Sequence, residues 1–563
     1  MSTTGIPKYA PLKQIPIVNR IWPSNRISKS PALVSVDLRD GNQALPNPMN
    51  PAQKLEYFNL LCRIGFKEIE VAFPSASQDD FDFTRSLIQE NHIPADVWIM
   101  ALTQCREHLI NRTFEAFQGI RQGIIHAYIA TSDLHIKHVF SLSRDETQKI
   151  AVSATKQIVE RCNEMPDSDL RFEFSPEEFS DTVPEFGLAI CTAVFEAWGK
   201  AAPDKPMILN LPMTVERRPP NEYADLIEWF CGNFKYRDAV KISLHCHNDQ
   251  GMAAAAAELG LLAGADRVEG TLFGHGERTG NLDLITFASN IQSRGIDTGL
   301  DFTELPKIAD TVERLTELRV HYRAPYAGDF AFTAFSGSHQ DAIRKGLYSL
   351  EHAAEHFDVT WKVPYLHVDP ADFGKRYENL IRINSQSGKG GAAWVLEHEF
   401  GIQIPKAMLP EIGVVIQKYA EERGRELSSA ELREIFKSEF INPTGPYKLA
   451  AYLTNSLIEN PSDVNGELLI SVNGELKRFT ACGNGPISAF EKCIKQLNLP
   501  EFTIEHYTEQ AIGKGADATA VAFLPIKTHD KGVIWGVGMD SNIIQAAVHA
   551  IIAGLNRYMS KVV

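Results

Sequence analysis

Leu244-His245-Cys246-His247-Asn248-Asp249-Gln250-Gly251 follows the apolar alternation of residues 240–244 and precedes the alanine-rich run 252–259. The alternation predicts a strand and the run a helix. Residues two apart on a strand share a face, so His245 and His247 direct both imidazoles at one spot. Asn248 and Asp249 stand where they can cap the helix that follows. Two imidazoles converging where a strand ends suit a divalent cation. An HxH alone fits a core pair satisfied by backbone equally well, so the surroundings decide.

Outward from this stretch, short apolar strands alternate with amphipathic helices. Strands are expected at 32–38, 68–73, 97–102, 124–130, 170–174, 207–211, 240–244 and 267–272, with helices such as 52–64, 145–162, 184–198 and 222–230 between them. Eight strand-then-helix units in roughly 270 residues have the count and size of a (β/α)8 TIM barrel, an α/β fold. A doubly wound sheet is the alternative, but the GxGxxG turn expected after its first strand is absent. The polar residues gather where a barrel needs them, at the strand C-termini. The first strand delivers Asp37-Leu38-Arg39-Asp40-Gly41, the fourth carries His126 inside it with Thr131 and Ser132 at its end, and the fifth gives Glu173 and Ser175. The sixth gives Asn210 and Thr214, the seventh the two histidines, and the eighth leads into Gly274-His275-Gly276-Glu277-Arg278-Thr279-Gly280-Asn281. Any one of these has a structural explanation; a ring of them at one mouth does not.

The remaining chain divides by pattern. Residues 1–32 read as an irregular, proline-containing arm, 33–328 as the barrel, 329–445 as mostly helical linker subdomains, and 446–563 as a pseudo-symmetric α+β domain. Residues 335–343 resemble a turn capping a short helix. Asn384-Ser385-Gln386-Ser387-Gly388-Lys389-Gly390-Gly391 does not match GxxxxGK[ST] and reads as a hinge. The last segment repeats itself: strands at 467–472 and 475–480 lead to a helix at 487–497, and strands at 520–526 and 532–537 to a helix at 543–555. Gly483-Asn484-Gly485-Pro486 and Gly536-Val537-Gly538 read as glycine turns opening those helices, where backbone N–H groups could take a small carboxylate.

Bulk properties narrow the class. The 563 residues carry a net charge of −15, which argues against nucleic-acid and anionic-membrane surfaces. No apolar run approaches the ~20 residues of a membrane span, and residues 1–26 lack the apolar core of a signal peptide. The eight cysteines show no CxxC pair and read as reduced thiols of a cytoplasmic protein.

Asp40, His245 and His247 supply one carboxylate and two imidazoles, and Asn281 could add an amide oxygen. Such a mixed oxygen and nitrogen set leaves two positions open around an octahedral ion. A 2-oxo acid fills both by chelation, which suits carbon–carbon bond formation at a ketone. Magnesium is the expected metal, with manganese and zinc in play. Arg39 would face the developing alkoxide.

These motifs carry a resemblance. Leu38-Arg39-Asp40-Gly41-Asn42-Gln43, HCHNDQGMA, GHGERTGN, Asn210-Leu211-Pro212-Met213-Thr214-Val215-Glu216 and Ser385–Gly391 closely resemble the longer form of the 2-isopropylmalate synthase family, over nearly the whole chain. DGxQ and HxHND are shared with homocitrate and citramalate synthases and with hydroxymethylglutaryl-CoA lyase; NLPxTVE and the C-terminal domain narrow the choice. The resemblance implies condensation of acetyl-CoA with 3-methyl-2-oxobutanoate, leucine as inhibitor, and a homodimer. It assigns Asp40, His245, His247 and Asn281 to the metal, and Arg39 to polarising the ketone. Glu173 becomes an active-site glutamate, and His126 and Thr214 line the 2-oxo acid site. His339 and Tyr365 form an enolising pair reaching in from the partner subunit. The resemblance also makes 33–328 the catalytic barrel and 446–563 a regulatory domain, whose leucine site would involve Gly483, Gly485, Pro486, Gly536 and Gly538. Homocitrate and citramalate synthases share the mechanism with another 2-oxo acid. A lyase would not need the C-terminal repeat, and a non-catalytic sensor would not need this intact set.

Overall fold

The computed structural model describes residues 15–17, 19–334, 336–353, 361–377, 392–393, 395–397, 400–423, 427–456, 463–497, 499, 501–504, 506–512, 518–528 and 532–560. They belong to two compact units, Met1–Phe332 with Val368–Tyr377, and Thr333–His367 with Glu378–Val563. The expected hinge at 384–391 lies outside the described residues.

In the first unit eight parallel strands close into a barrel in sequence order: β1 Ala32–Ser35, β2 Glu68–Ala72, β3 Trp98–Gln104, β4 Gln122–Ala130, β5 Asp169–Glu177, β6 Met207–Asn210, β7 Val240–His245 and β8 Arg267–Gly270. Closure is explicit in the register, because Val34 of β1 opposes both Glu68 of β2 and Glu269 of β8. Each expected strand is present. The first stops at Ser35, since Asp37–Gly41 winds into a single π-helical turn. The fifth runs to Glu177, three residues beyond its expected end, because Tyr128, Ile129 and Ala130 of β4 extend the ladder to Ser175, Pro176 and Glu177.

The helices between strands form for ordinary reasons. Helix α1 (Pro51–Ile64) starts with proline behind an Asn50–Gln53 capping box, and α2 (Arg144–Asn163) behind a Ser143–Glu146 box; each cap is worth about 1 kcal/mol. Helices α3 (Pro184–Trp198) and α4 (Pro220–Asn233) also begin on proline. The arm is docked: Arg20 makes two 2.7 Å bonds to Asp225 of α4, and Trp22 Nε1 donates to the same carboxylate at 2.9 Å.

The second unit contains α5 (Gly337–Ala353), longer than the short helix expected there, then α6 (Leu409–Arg423) and α7 (Ser429–Phe436). The repeat is present, with a third strand in each copy. Strands Tyr447–Ser456, Val464–Val472 and Glu475–Gly483 form one antiparallel meander, followed by a helix at Pro486–Ile494. Strands Thr508–Ile512, Thr519–Thr528 and Gly532–Asp540 form the other, followed by a helix at Ile543–Ser560.

One expectation is corrected. Gly536-Val537-Gly538 is not a turn but the middle of the last strand, and its helix opens later, at Asn542. The glycines let strand and helix touch. A β-carbon on Gly538 would lie 2.5 Å from Ala550 N and 2.9 Å from His549 Cβ, and closer still to the Ala546 carbonyl oxygen. Gly483 is pressed against Ala489 in the same manner, whereas a β-carbon on Gly485 would meet nothing within 4 Å.

Candidate active site

The barrel mouth is assembled from loops tied to one another. Asp37, inside the π turn after β1, accepts from Tyr57 Oη and Ser35 Oγ at 2.7 Å and from Leu272 N at 3.0 Å. This joins the loop that carries Arg39 and Asp40 to the loop that carries Asn281. Asp249 does not cap the helix Ala253–Leu262 as expected. It accepts from Glu216 N at 2.9 Å and Arg278 Nε at 2.7 Å, linking the loops after β6, β7 and β8. Glu216 takes over much of the capping by accepting from Met252 N (3.1 Å) and Gln250 N, while Asn248 Oδ1 accepts from Ala253 N at 3.1 Å.

Inside this frame the alternation of β7 does what the sequence implied. His245 and His247 point to one place, with ring centroids 5.2 Å apart. Asp40 Oδ2 lies 3.5 Å from His245 Nε2 and 3.8 Å from His247 Nε2. Candidate ligand atoms of all three buried residues fall within 4.8 Å of one another. Asn281 is bridged to His247 through the backbone and donates Nδ2 to Asp40 Oδ2 at 2.7 Å. Its Oδ1 is buried without a hydrogen-bond partner. A buried, unused amide oxygen beside a carboxylate and two imidazoles fits a divalent cation.

The electrostatics follow from burial and pairing. Burial resists ionisation of Asp40, but Arg39 and the two imidazoles overcome it and hold the carboxyl well below the usual range. Burial works against a charged His245 too, yet its bonds to Asp40 and Glu269 push it up to about 9. Burial and the neighbouring His245 push His247 down to about 4. Arg39 is clamped by Glu70 (Nε to Oε2, 2.5 Å) and Asp40 (Nη1 to Oδ1, 2.8 Å). His126 is held between Glu70 Oε1 at 2.6 Å and Ser175 Oγ at 2.7 Å.

Arg39, Asp40, His126, Thr214, His245 and His247 all line one cavity of about 300 Å³. Glu173 does not. It is fully buried beneath, 3.8 Å from His126 Nε2 and paired with Arg267 at 3.2 Å. Burial and nearby Glu269 raise its carboxyl far above the ordinary range, while Arg267 and His245 hold Glu269 ionised against its own burial. The carboxyl that reaches the cavity from β5 is Glu177, two alternations farther on and itself raised by burial. His339 and Tyr365 belong to the second unit, where their rings stack at 4.0 Å. Tyr365 is exposed and sits at φ +63°.

Sequence reasoning passed over Glu70, Glu269, Arg267 and Glu177. The available signal was charge inside strands that a closed barrel buries, where any ionised group requires an internal partner.

Comparison with known proteins agrees with this geometry. Residues 30–312 match the HMGL-like family model, and residues 329–397 match the model described as alpha-isopropylmalate synthase, post-catalytic domain-like. Residues 426–559 match the LeuA allosteric (dimerisation) domain. The 2-isopropylmalate synthase of Clostridium acetobutylicum is 47% identical over 555 residues, covering 98% of this chain and 99% of that protein. The enzyme of the same name from Paraburkholderia xenovorans is 45% identical, covering 99% and 95%. That from Rhodospirillum rubrum is 45% identical, covering 98% and 99%. With identity at this level along nearly its entire length, the chain belongs to the 2-isopropylmalate synthase family.

Proposed function

We propose that this chain condenses acetyl-CoA with 3-methyl-2-oxobutanoate and water to give (2S)-2-isopropylmalate and CoA. This is the first committed step of leucine biosynthesis, and leucine restrains it. The observation that carries the reading is the meeting of Asp40, His245, His247 and Arg39 in one cavity. The cavity also has an apolar wall, Phe73, Leu102 and Pro212, suited to a short branched side chain. Homocitrate and citramalate synthases would place a different 2-oxo acid there.

Asp40, His245, His247 and the free Oδ1 of Asn281 are the proposed ligands of a divalent cation, magnesium first, then manganese or zinc. Bound there, the cation supplies Lewis acidity to a chelated ketone, worth several kcal/mol in the transition state. Arg39 has Nε and Nη1 engaged, which fixes the guanidinium plane and leaves its remaining N–H groups for the developing alkoxide. His126 and Thr214 orient the 2-oxo acid. Glu173 acts through His126 rather than on substrate, being sealed below it.

The stacked His339–Tyr365 pair, with Tyr365 exposed, is the proposed enolising group, delivered to the barrel of a partner subunit. A histidine deprotonates a thioester methyl only with electrostatic help, which this composite arrangement would provide. For leucine we propose the helix opening at Gly485 and Pro486. Gly483, Gly536 and Gly538 support that region through close packing. Among the described residues no helix is long and apolar enough to cross a membrane. The eight free cysteines support a cytoplasmic location.

The test is a thiol-release assay with acetyl-CoA and a panel of 2-oxo acids, with and without leucine. The highest kcat/KM is expected for 3-methyl-2-oxobutanoate, lowered by leucine. A preference for pyruvate or 2-oxoglutarate would overturn the assignment.

A further inference from the structure

Beneath the cavity lies a charge cluster of which the reaction scheme uses only Glu173. Arg267 is fully buried, and its guanidinium meets side chains from five different strands. Nε donates to Glu68 Oε2 at 2.7 Å, and Nη1 to Ser243 Oγ at 2.8 Å, Glu173 Oε1 at 3.2 Å and Glu269 Oε1; Nη2 touches Met100 Sδ at 3.1 Å. Only the barrel interior brings these strands together.

Glu269 is the member that points upward. Its Oε1 accepts from Arg267 and from Ser243 Oγ at 3.0 Å, and its Oε2 accepts from Asn210 Nδ2 at 3.0 Å and His245 Nδ1 at 2.9 Å. Every lone-pair direction of this carboxylate is occupied. An acceptor at Nδ1 keeps the Nδ1–H in place, so Nε2, which faces Asp40, is the nitrogen that gives up its proton when a cation binds. His247 has no such support, since its Nδ1 is buried without a partner.

We infer that the Arg267–Glu269 pair is the positioning device of the cation site, locking His245 as a nitrogen ligand from below. The inference rests on the cation site proposed above. Its physical basis is that an outer carboxylate fixes the tautomer and raises the basicity of a ligating imidazole, and that losing it weakens metal binding roughly 10–100-fold. Glu269→Gln tests the orientation directly. The new amide must turn its oxygen toward the Arg267 guanidinium, because two donors would otherwise collide there. Its NH2 then faces His245, which favours the reverse tautomer with Nε2–H pointing into the site.

The experiment measures Mn2+ affinity of the full chain by calorimetry and by paramagnetic resonance of free Mn2+, with circular dichroism to establish folding. Glu269→Gln is expected to raise the Mn2+ dissociation constant 10–100-fold. Glu68→Gln touches the same guanidinium from the other side and not His245, so its constant should stay within about twofold of the parent. Glu269→Asp keeps the charge but withdraws it from His245, so it should raise the constant more than Glu68→Gln does; should the glutamine variant not fold, equal constants in Glu269→Asp and Glu68→Gln would overturn the inference. Equal Mn2+ affinity in Glu269→Gln and parent, or equal losses in Glu68→Gln and Glu269→Gln, would overturn the inference. His247→Ala separates the two levels. If it binds Mn2+ like the parent, the cation site itself is misplaced; if it loses Mn2+ while Glu269→Gln does not, only the positioning role falls.

Discussion

Gly538→Ala gives the sharpest test of how the C-terminal repeat is held together. The added methyl would sit 2.5 Å from Ala550 N and closer still to the Ala546 carbonyl oxygen, whereas ordinary contact begins at 3.4 Å, so strand and helix must separate by more than about 0.9 Å. The obstructing atoms are backbone on the helix side, and no rotamer change relieves them. A gap of 0.5–1 Å forfeits a quarter to a half of each dispersion contact across it. The helix Ile543–Ser560 presents Ala546, Ala547, Val548, Ala550 and Ile551 to that packing, all fully buried.

Overpacking ordinarily costs about 1–3 kcal/mol, and a backbone-to-backbone wedge belongs at the top of that range, about 3 kcal/mol. For a unit of this size that lowers Tm by about 6–12 °C. Scanning calorimetry of the full-length protein should show one transition move and the barrel transition stay. Gly485→Ala is the control: its β-carbon meets nothing within 4 Å and its φ of 168° is open to any residue. That variant should stay within about 0.5 kcal/mol of the parent. A Gly538→Ala protein as stable as Gly485→Ala would refute the packing account and return these glycines to a ligand-binding role.

Four further outcomes are expected. Chelation should abolish thiol release and added Mg2+ or Mn2+ restore it; full metal content and turnover in His247→Ala would contradict the ligand assignment. Co-expressed His245→Ala and His339→Ala chains, each inactive alone, should recover some activity in the mixed dimer, and a verified mixed dimer without activity would exclude action in trans. Gly485→Asp places a negative charge at a helix N-terminus proposed for the leucine carboxylate, so activity should persist while leucine inhibition is lost; unchanged inhibition removes this turn from the leucine site. Burial pushes His275 down to about 4, so the unfolded chain binds the extra proton first as pH falls below about 6.5. From His275 alone the metal-free protein should then lose at most about 3 kcal/mol between pH 6.5 and 4, a share that His275→Gln should remove in urea titrations across that window. His247, likewise held at about 4, keeps its own share.

Much of this architecture is legible from periodicity, and the parts that are not fail for identifiable reasons. Each barrel strand announced itself through an apolar run. His245 and His247 could be paired because a strand's twofold alternation is rigid. The same alternation also links Glu173, Ser175 and Glu177, but the fifth strand outlasts its apolar stretch, so the sequence does not reveal that Glu177 is the carboxyl of this strand that lines the cavity while Glu173 lies buried beneath it. Asp249 resembled a helix cap by position alone, whereas the structure engages it with Arg278 across two loops, a contact separated by 29 residues. Gly536 and Gly538 mimicked a turn, since sequence does not distinguish a glycine needed for backbone freedom from one needed for close approach. Glu70 and Glu269 were hidden as charges within strands, visible only when their neighbours across the barrel are known.

Those hidden charges tie the mouth to the barrel interior. Two guanidiniums organise it: Arg39 at the cavity, between Glu70 and Asp40, and Arg267 below, among Glu68, Glu173 and Glu269. His126 connects the tiers, touching Glu70 and lying 3.8 Å from Glu173; His245 connects them again, bonded to Glu269 and facing Asp40. Breaking a buried pair from one side leaves an uncompensated charge and costs about 3–5 kcal/mol. No single carboxylate here can swing away to seek water or another partner. The pairing thus has a consequence for chemistry: Arg39 and the imidazoles are oriented before any substrate arrives, so little reorganisation remains when charge develops on the ketone oxygen. Stability and catalysis draw on the same contacts, and substitutions at Arg39 or Glu70 should therefore be read with a melting curve beside every rate.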